Sequence, residues 1–301
     1  IAAGVIPSAS KIKVTPGTID WDSMTDDQKR YDSRRMEVYA GMVEAMDFHI
    51  GRLMSYLKGI GKYENTVFIF TSDNGAASSP LLDSDGNSVL KNWFDSVGYN
   101  TDYETLGEKG SWVAIGPGNA TIGNSPLLYY KFHANEGGLR VPLIMSGPGI
   151  NRQGDLTNEF TFVTDLAPTI LSLAGVSDHR GSFNGKRVEP IIGTNFVDYL
   201  SGDEDQIHQP TEPIGYELGG SNALFKGDYK IVINRFEQNE TEWHLYNIKT
   251  DPGETTDLIN DEPQLFAEML SDYETWADEN DVLPMPEGYN RGRAIFRGGF
   301  N

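Results

Sequence analysis

Cysteine is absent from all 301 residues of the sequence. This absence excludes disulfide bridges, thiolate metal sites and a cysteine nucleophile within these residues. It does not decide the compartment, because a periplasmic enzyme can also lack disulfides.

Long apolar runs and an excess of basic residues are also lacking. The longest hydrophobic stretch, residues 66–71, is far shorter than the roughly 18 residues needed to cross a bilayer. Acidic residues number 44 against 24 Lys and Arg, which gives a formal net charge of -20. A surface of this sign repels polyanions. Neither a membrane nor a nucleic acid is therefore expected as a partner.

An initiator Met is missing at the first position, which is Ile1. Residues 1–7 also lack the charged segment and the long apolar core of an intact secretory signal. We therefore expect either that the true start was removed or that the sequence begins within a longer protein.

The first half of the sequence shows an α/β pattern. Thr25 and Gln28 form a capping box, and apolar residues then recur every three or four positions to about residue 58. This periodicity predicts a long amphipathic helix. Residues 66–71 follow as a buried strand, which runs directly into a polar loop. In open α/β sheets, ligands lie at such carboxyl ends of strands.

The middle of the sequence is less regular. Residues 76–135 have weak periodicity, which is typical of a long functional loop. Buried strands are predicted over residues 141–145 and 160–163, and a helix is predicted over residues 165–174.

The pattern changes after about residue 212. Short strands separated by turn residues predict an antiparallel meander over residues 223–225, 229–234 and 243–247. A helix is predicted to start at Pro263. We therefore divide the chain into an α/β part, residues 1–205, and a smaller α+β subdomain, residues 206–301.

The first candidate site is the loop after the strand at residues 66–71. Asp73 and Asn74 place a carboxylate beside a carboxamide, and Gly75 allows a tight backbone turn. Calcium takes six to eight such oxygen ligands, so further ligands must come from elsewhere. The alternative is an Asx turn, a common use of this sequence that requires no metal.

The second candidate is Lys131, which lies just before the pair Gly137 and Gly138. Its ammonium could bind an oxyanion as a compact point charge. The alternative is a solvated lysine, with Glu136 and Arg140 as a local ion pair of small energetic weight.

Taken together and in this order, the segments of the chain resemble the sulfatase family. The stretch from Gly116 to Pro126 is most similar to the bacterial arylsulfatases of the alkaline phosphatase superfamily. The segments that carry the resemblance are Met-Val-Glu-Ala-Met-Asp at 42–47, Ser-Asp-Asn-Gly at 72–75, Lys-Phe-His-Ala-Asn-Glu-Gly-Gly-Leu-Arg-Val-Pro at 131–142, Gly-Pro-Gly-Ile at 147–150, Thr-Asp-Leu-Ala-Pro-Thr at 164–169, Gly-Asp-Tyr-Lys at 227–230, Leu-Tyr-Asn at 245–247 and Asp-Pro-Gly-Glu-Thr-Thr-Asp-Leu at 251–258.

The resemblance implies an alkaline-phosphatase-like α/β sulfatase fold with a partial central sheet, followed by a smaller C-terminal α+β subdomain. It also implies that Asp73 and Asn74 are ligands of one Ca²⁺ ion, with Mg²⁺ as the less favoured ion. Lys131 matches the lysine that holds the sulfate ester and steadies the leaving oxygen. The nucleophile of the family is a formylglycine hydrate, made from Cys or Ser in a Cys/Ser-x-Pro-x-Arg motif.

That motif is missing from these residues, as are the paired Asp residues, the lysine and the histidines that complete the family's site. In the family all of them precede the helix that begins here near Thr25. The resemblance therefore implies that an upstream segment of the same enzyme supplies them. We expect the isolated chain to be inactive and not to fold cooperatively, because the parent sheet would lose strands.

The predicted function is hydrolysis of aryl or other small sulfate esters. The resemblance also implies a periplasmic or secreted location, with a cytoplasmic location as the alternative. One alternative is a phosphonate monoester or phosphodiester hydrolase of the same superfamily, and another is a non-catalytic C-terminal fragment. His133 does not match a catalytic histidine of the family, so we expect it to lie no closer than the rim of the pocket. Trp112 is expected either to line a leaving-group pocket or to be a core residue.

Overall fold

The computed structural model describes residues 11–16, 18–79, 89–177, 181–235 and 240–286. The described residues form two compact units. The first contains those of Ser55–Thr71 and Pro142–Glu212, and the second contains those of Ala9–Met54, Ser72–Val141 and Pro213–Asn301. The division of the chain at residue 205 stays a prediction.

Helix α1, Asp26–Gly59, is 34 residues long and begins at the predicted capping box. The backbone N–H of Thr25 donates to Gln28 Oε1 at 2.8 Å, and the N–H of Gln28 donates to Thr25 Oγ1 at 3.3 Å. The predicted helix is thus confirmed. Its apolar side is not covered by the described residues, since Met42 is 62% exposed and Leu53 is 53% exposed.

The first unit contains a two-stranded antiparallel sheet. Strand β1, Phe68–Thr71, pairs with strand β2, Leu143–Ser146. Helices α5, Val163–Leu173, and α6, Val197–Ser201, follow β2, with the short strands β3, Ser182–Phe183, and β4, Lys186–Arg187, between them. The buried cluster of this unit consists of Ile150, Phe196, Tyr199 and Leu200.

The strand predicted over residues 160–163 is wrong, because this segment forms the entry to α5. Phe162 is the N-cap residue of the helix, and its N–H donates to Asp165 Oδ2 at 2.7 Å. A backbone N–H used to cap a helix is no longer available to a strand partner. The apolar residues here were therefore assigned the wrong period.

The long irregular stretch predicted over residues 76–135 contains two helices. They are α2, Val89–Val97, and α3, Gly116–Asn124, and the one-turn helix α4, Glu136–Leu139, follows. Gly116 has a φ of 80°, which favours glycine, and Pro117 occupies the first turn of α3. Gly and Pro are thus helix-start residues here rather than signs of a loop.

The second unit contains the predicted antiparallel meander with one additional strand. Strands β5, Pro213–Leu218, β6, Ser221–Lys226, β7, Tyr229–Asn234, and β8, His244–Asn247, pair in that order. Helix α7, Pro263–Glu279, packs on the sheet through Met269 and Tyr273. A Cβ atom on Gly215 of β5 would lie 2.0 Å from the Trp276 ring, so the helix approaches the strand closely.

Within the described ranges, no helix combines the length and apolar character that crossing a membrane requires.

A histidine between two carboxylates ties together the end of the first unit. His208 Nε2 lies 2.8 Å from Asp165 Oδ2, and His208 Nδ1 lies 3.0 Å from Glu212 Oε2. Asp165 also accepts the N–H groups of Phe162 and Thr194. Burial lowers the pKa of His208, but the hydrogen bonds to the two carboxylates outweigh burial and hold the pKa above its usual value.

We expect the bonds of His208 to Asp165 and Glu212 to make the free energy of unfolding dependent on pH. Because the folded state holds the imidazole proton more tightly, the stabilisation is fully present below the unfolded pKa of about 6.5 and is lost as the pH rises through the folded pKa. His208→Gln should remove this slope and lower the free energy of unfolding by about 2 kcal/mol in mild acid.

Urea unfolding between about pH 5.5 and 8.5 measures this effect. Glu212→Gln should keep part of the slope, because the bond to Asp165 remains. An unchanged slope in His208→Gln would show that another group carries the pH dependence.

Candidate active site

The loop after β1 carries the first candidate residues. The Ser72 hydroxyl donates to the Asn74 carbonyl at 2.8 Å, and Asn74 Nδ2 donates to the Gly75 carbonyl at 3.0 Å. Asp73 is exposed, and its carboxylate has no hydrogen-bond or ion-pair partner within the described residues. The turn is therefore built without using the Asp73 side chain.

The Asx-turn alternative for Asp73 is not observed. Such a turn requires the carboxylate to accept the N–H two residues further on, which is that of Gly75. That N–H donates instead to the carbonyl of Gly138 at 3.0 Å. The bond joins the Asp73 loop, residues 72–79, to the segment that carries Lys131.

Glycine is required where these two segments meet. A Cβ atom built on Gly75 would lie 1.7 Å from the Gly137 carbonyl oxygen, and one on Gly137 would lie 2.2 Å from the Tyr129 carbonyl oxygen. Both contacts are with backbone, which cannot move aside as a flexible side chain does. The Gly pair after Lys131 thus serves close backbone packing.

Asn124, the last residue of α3, clamps the same two segments. Its Oδ1 accepts the Ala76 N–H at 3.1 Å, and its Nδ2 donates to the carbonyls of Tyr129 at 3.2 Å and Gly137 at 2.8 Å. Sequence reasoning did not identify this residue, because an asparagine at a helix end has many ordinary roles. Only the folded chain shows its three partners.

Lys131 lies on the Lys131 loop, residues 127–139, beside the Asp73 loop. Its N–H donates to the Ala76 carbonyl at 3.0 Å, and its Nζ lies 5.4 Å from the centre of the Phe132 ring. Tyr129 has a φ of 64° and Phe132 a φ of 82°, a left-handed region that non-glycine residues seldom adopt. The structure thus brings the loops of Asp73, Asn74 and Lys131 together, and Lys131 lies between two residues with an unusual backbone conformation.

His133 is buried and Trp112 is half-buried. His133 is only 2% exposed and is therefore a buried residue rather than one at a pocket rim. Its Nδ1 lies 3.0 Å from the Tyr130 carbonyl, and its ring stacks on Tyr129 at a centroid distance of 4.3 Å. Trp112 is half-buried and packs edge-on against Tyr99.

Glu136 of the Lys131 loop forms a buried charged cluster with Lys230 and Glu254. Lys230 Nζ donates to Glu136 Oε1 at 3.0 Å and to Glu254 Oε1 at 3.1 Å. Burial raises the pKa of Glu254, with Lys230 opposing the rise and the Glu136 carboxylate adding to it. Arg140 is a more distant partner, 3.8 Å from Glu136. Sequence reasoning found only this last pair, although Lys230 and Glu254 both lie in motifs of the family resemblance.

A hard cation could be held by the oxygens of Asp73 and Asn74. Because Asn74 Nδ2 donates to Gly75, the Oδ1 atom of that side chain is left to act as a ligand. In the part of the chain that the structure describes, there is no group of three or more His, Asp or Glu side chains that could hold a metal. These residues therefore fit part of an oxygen-ligand site for calcium and do not complete one.

Two family models match the chain. The sulfatase model matches residues 10–176, more than half of the chain. The model described as N-sulphoglucosamine sulphohydrolase, C-terminal, matches residues 127–274. Both candidate loops lie within the first match.

Curated relatives and solved structures agree with these models. An uncharacterized sulfatase of Schizosaccharomyces pombe is 35% identical over 91% of this chain and 49% of its own length. The arylsulfatase of Klebsiella aerogenes is 36% identical over 58% of this chain and 37% of its own length. The chain thus spans about half or less of these relatives.

The structure of Ps i-CgsB in complex with k-i-k-neocarrahexaose has a TM-score of 0.56 at 24% identity and covers 86% of this chain and 46% of its own. This likeness concerns the fold, and it confirms the expected alkaline-phosphatase-like α/β architecture with a small antiparallel sheet. The sulfatase model and the Schizosaccharomyces pombe relative identify the sequence itself. The chain belongs to the sulfatase family.

Proposed function

We propose that the protein of which this chain is part hydrolyses sulfate esters, and that Asp73, Asn74 and Lys131 form one side of its active site. The observation that carries the proposal is the backbone junction between the Asp73 loop and the Lys131 loop. It places on adjacent segments a lysine and a carboxylate that has no partner among the described residues, with Gly75 and Lys131 bonded across it. A relative named arylsulfatase supports an aryl or other small sulfate ester as the substrate.

Lys131 is the group of this chain that would contact the substrate. Its ammonium donates hydrogen bonds to the sulfate and to the ester oxygen that leaves, where negative charge grows as the bond to sulfur breaks. The Phe132 ring at 5.4 Å limits the directions open to the ammonium. The backbone bond to Ala76 sets the distance between Lys131 and the Asp73 loop.

Asp73 and Asn74 would hold a calcium ion through a carboxylate and a carboxamide oxygen. When bound, the ion supplies positive charge that neutralises the sulfate oxygens. The chain keeps the side-chain oxygens of Asp73 and Asn74 in position, and Asn74 is oriented by its bond to Gly75. Further ligands and the formylglycine nucleophile are proposed to come from an upstream segment, as is consistent with the length of the relatives.

The first experiment compares sulfate and phosphate esters that share one leaving group. The protein should be expressed from its complete gene together with a formylglycine-generating enzyme. We expect hydrolysis of the sulfate ester to exceed that of the phosphate ester in kcat/KM. The reverse ratio would support the phosphonate or phosphodiester hydrolase instead, and no hydrolysis of either ester would support a non-catalytic protein.

Lys131→Ala should lower kcat for an aryl sulfate by about 100-fold to 1000-fold, because a preorganised donor at a developing charge is lost. The loss should be greater for poor leaving groups, which carry more negative charge in the transition state. Lys249→Ala is the matched control, since it removes an exposed lysine that pairs with Asp228 outside the proposed site. Equal activity of the two variants would remove Lys131 from the mechanism.

Calcium removal should abolish the activity, and calcium should restore it more effectively than magnesium. Asp73→Ala should weaken calcium binding, measured directly by calorimetry, by about 10-fold or more, because an anionic ligand is lost. Asp95→Ala is the control, since it removes an exposed carboxylate outside the proposed site. Calcium affinity unchanged in Asp73→Ala would contradict the ligand assignment.

A further inference from the structure

We propose that the C-terminal sheet positions Lys131 for catalysis, with Ser221, Lys230, Asn234 and Glu254 as positioning residues. The proposal rests on the proposed function, since it assigns these residues to the same reaction. It concerns the Lys131 loop, whose backbone is bonded to side chains of β6, β7 and the segment after β8. None of the four residues is proposed to touch the substrate.

Ser221 holds the residue next to Lys131. Its hydroxyl donates to the Phe132 carbonyl at 3.1 Å, and the side chain is fully buried at the start of β6. Phe132 has the left-handed backbone that costs a non-glycine residue free energy. A bond to its carbonyl therefore helps to keep a conformation that the loop would not adopt alone.

Asn234 holds Ala134 and Asn135 of the loop. At the end of β7, its Oδ1 accepts the Ala134 N–H at 2.8 Å and its Nδ2 donates to Asn135 Oδ1 at 2.7 Å. Its exposed fraction is 1%. A carboxamide that satisfies both its oxygen and its nitrogen on one loop fixes the orientation of that loop as well as its distance.

Glu254 and Lys230 hold the C-terminal end of the loop. Glu254 Oε2 accepts the Glu136 N–H at 2.9 Å, and Lys230 Nζ bridges the carboxylates of Glu136 and Glu254. Lys230 and Glu254 are fully buried. Removing one partner of such a group leaves an unpaired charge, whereas replacing a whole buried ion pair by apolar residues is often neutral for stability.

Stabilisation of the fold thus explains the burial of these charges poorly, and positioning of the Lys131 loop explains it better. Directed charge-assisted bonds define both distance and angle, which apolar contacts do not. The three anchors are Ser221, Asn234 and the pair of Lys230 and Glu254. Each bonds to one or two of the five residues that follow Lys131. Because misplacement of a reacting group by about 1 Å costs about 100-fold in rate, a small shift of this loop is sufficient to impair catalysis.

The test uses Ser221→Ala and Glu254→Gln in the protein expressed from its complete gene. Both changes preserve most of the side-chain volume. We expect kcat for an aryl sulfate to fall by about 10-fold to 100-fold, with a greater loss for poor leaving groups, as in Lys131→Ala. Lys226→Met is the matched control, because it removes ion pairs to Glu268 and Asp272 without removing a bond to the Lys131 loop.

A double-mutant cycle separates positioning from general destabilisation. If the anchors act through Lys131, adding Glu254→Gln to Lys131→Ala should change kcat by less than about 2-fold, because coupled residues are not additive. The same loss in both backgrounds would overturn the proposal. So would wild-type kinetics in Ser221→Ala and Glu254→Gln.

Hydrogen exchange gives a readout that does not depend on activity. Amides of residues 127–139 should exchange faster in both variants, while those of α7 keep their protection. Unchanged exchange in the loop would overturn the positioning, even if the protein proves to be a sulfatase. Faster exchange in a protein that hydrolyses no sulfate ester would instead leave the anchoring supported and reject the proposed function.

Discussion

The contact on which the candidate site depends is the backbone junction between the Asp73 loop and the Lys131 loop. Gly75 has no room for a Cβ atom because of the Gly137 carbonyl, and Gly137 has none because of the Tyr129 carbonyl. The N–H of Gly75 donates to Gly138, and the N–H of Lys131 donates to Ala76. Two short segments that are far apart in sequence are thereby fixed side by side, and the carboxylate of Asp73 and the ammonium of Lys131 come to lie on adjacent segments.

Buried polar groups support the junction through hydrogen bonds. Asn124 satisfies three backbone groups of the two loops, and Lys230 bridges Glu136 and Glu254 out of contact with water. Buried polar groups are costly unless each one is paired. This requirement favours the arrangement of the loops in which these groups are paired. A loop held in this way keeps Phe132, the neighbour of Lys131, in a backbone conformation that it would not keep alone.

Local patterns predicted the regular elements well where one signal was dominant. The start of α1 was correct because the capping box at Thr25 is a purely local arrangement, and the strands of the meander were correct because Gly227 and its neighbours mark the turns. The segment 160–163 failed because its apolar residues fit a strand as well as a helix entry, and the Asp165 cap decided between them. The burial of His133 was not predicted, because no local feature shows that a histidine will be buried by its own neighbours Tyr129 and Tyr130.

The sequence by itself determined the candidate residues Asp73, Asn74 and Lys131 and the membership of the sulfatase family, because these depend on residue types in a particular order along the chain. The tertiary structure alone decided that Asp73 makes no Asx turn, and that Asn124, Ser221, Lys230, Asn234 and Glu254 bond to the two loops. The physical reason is distance along the chain: the Glu136 N–H and its acceptor Glu254 are 118 residues apart. Local propensity cannot specify such a pairing, which forms only when the folded backbone brings a buried donor to its acceptor.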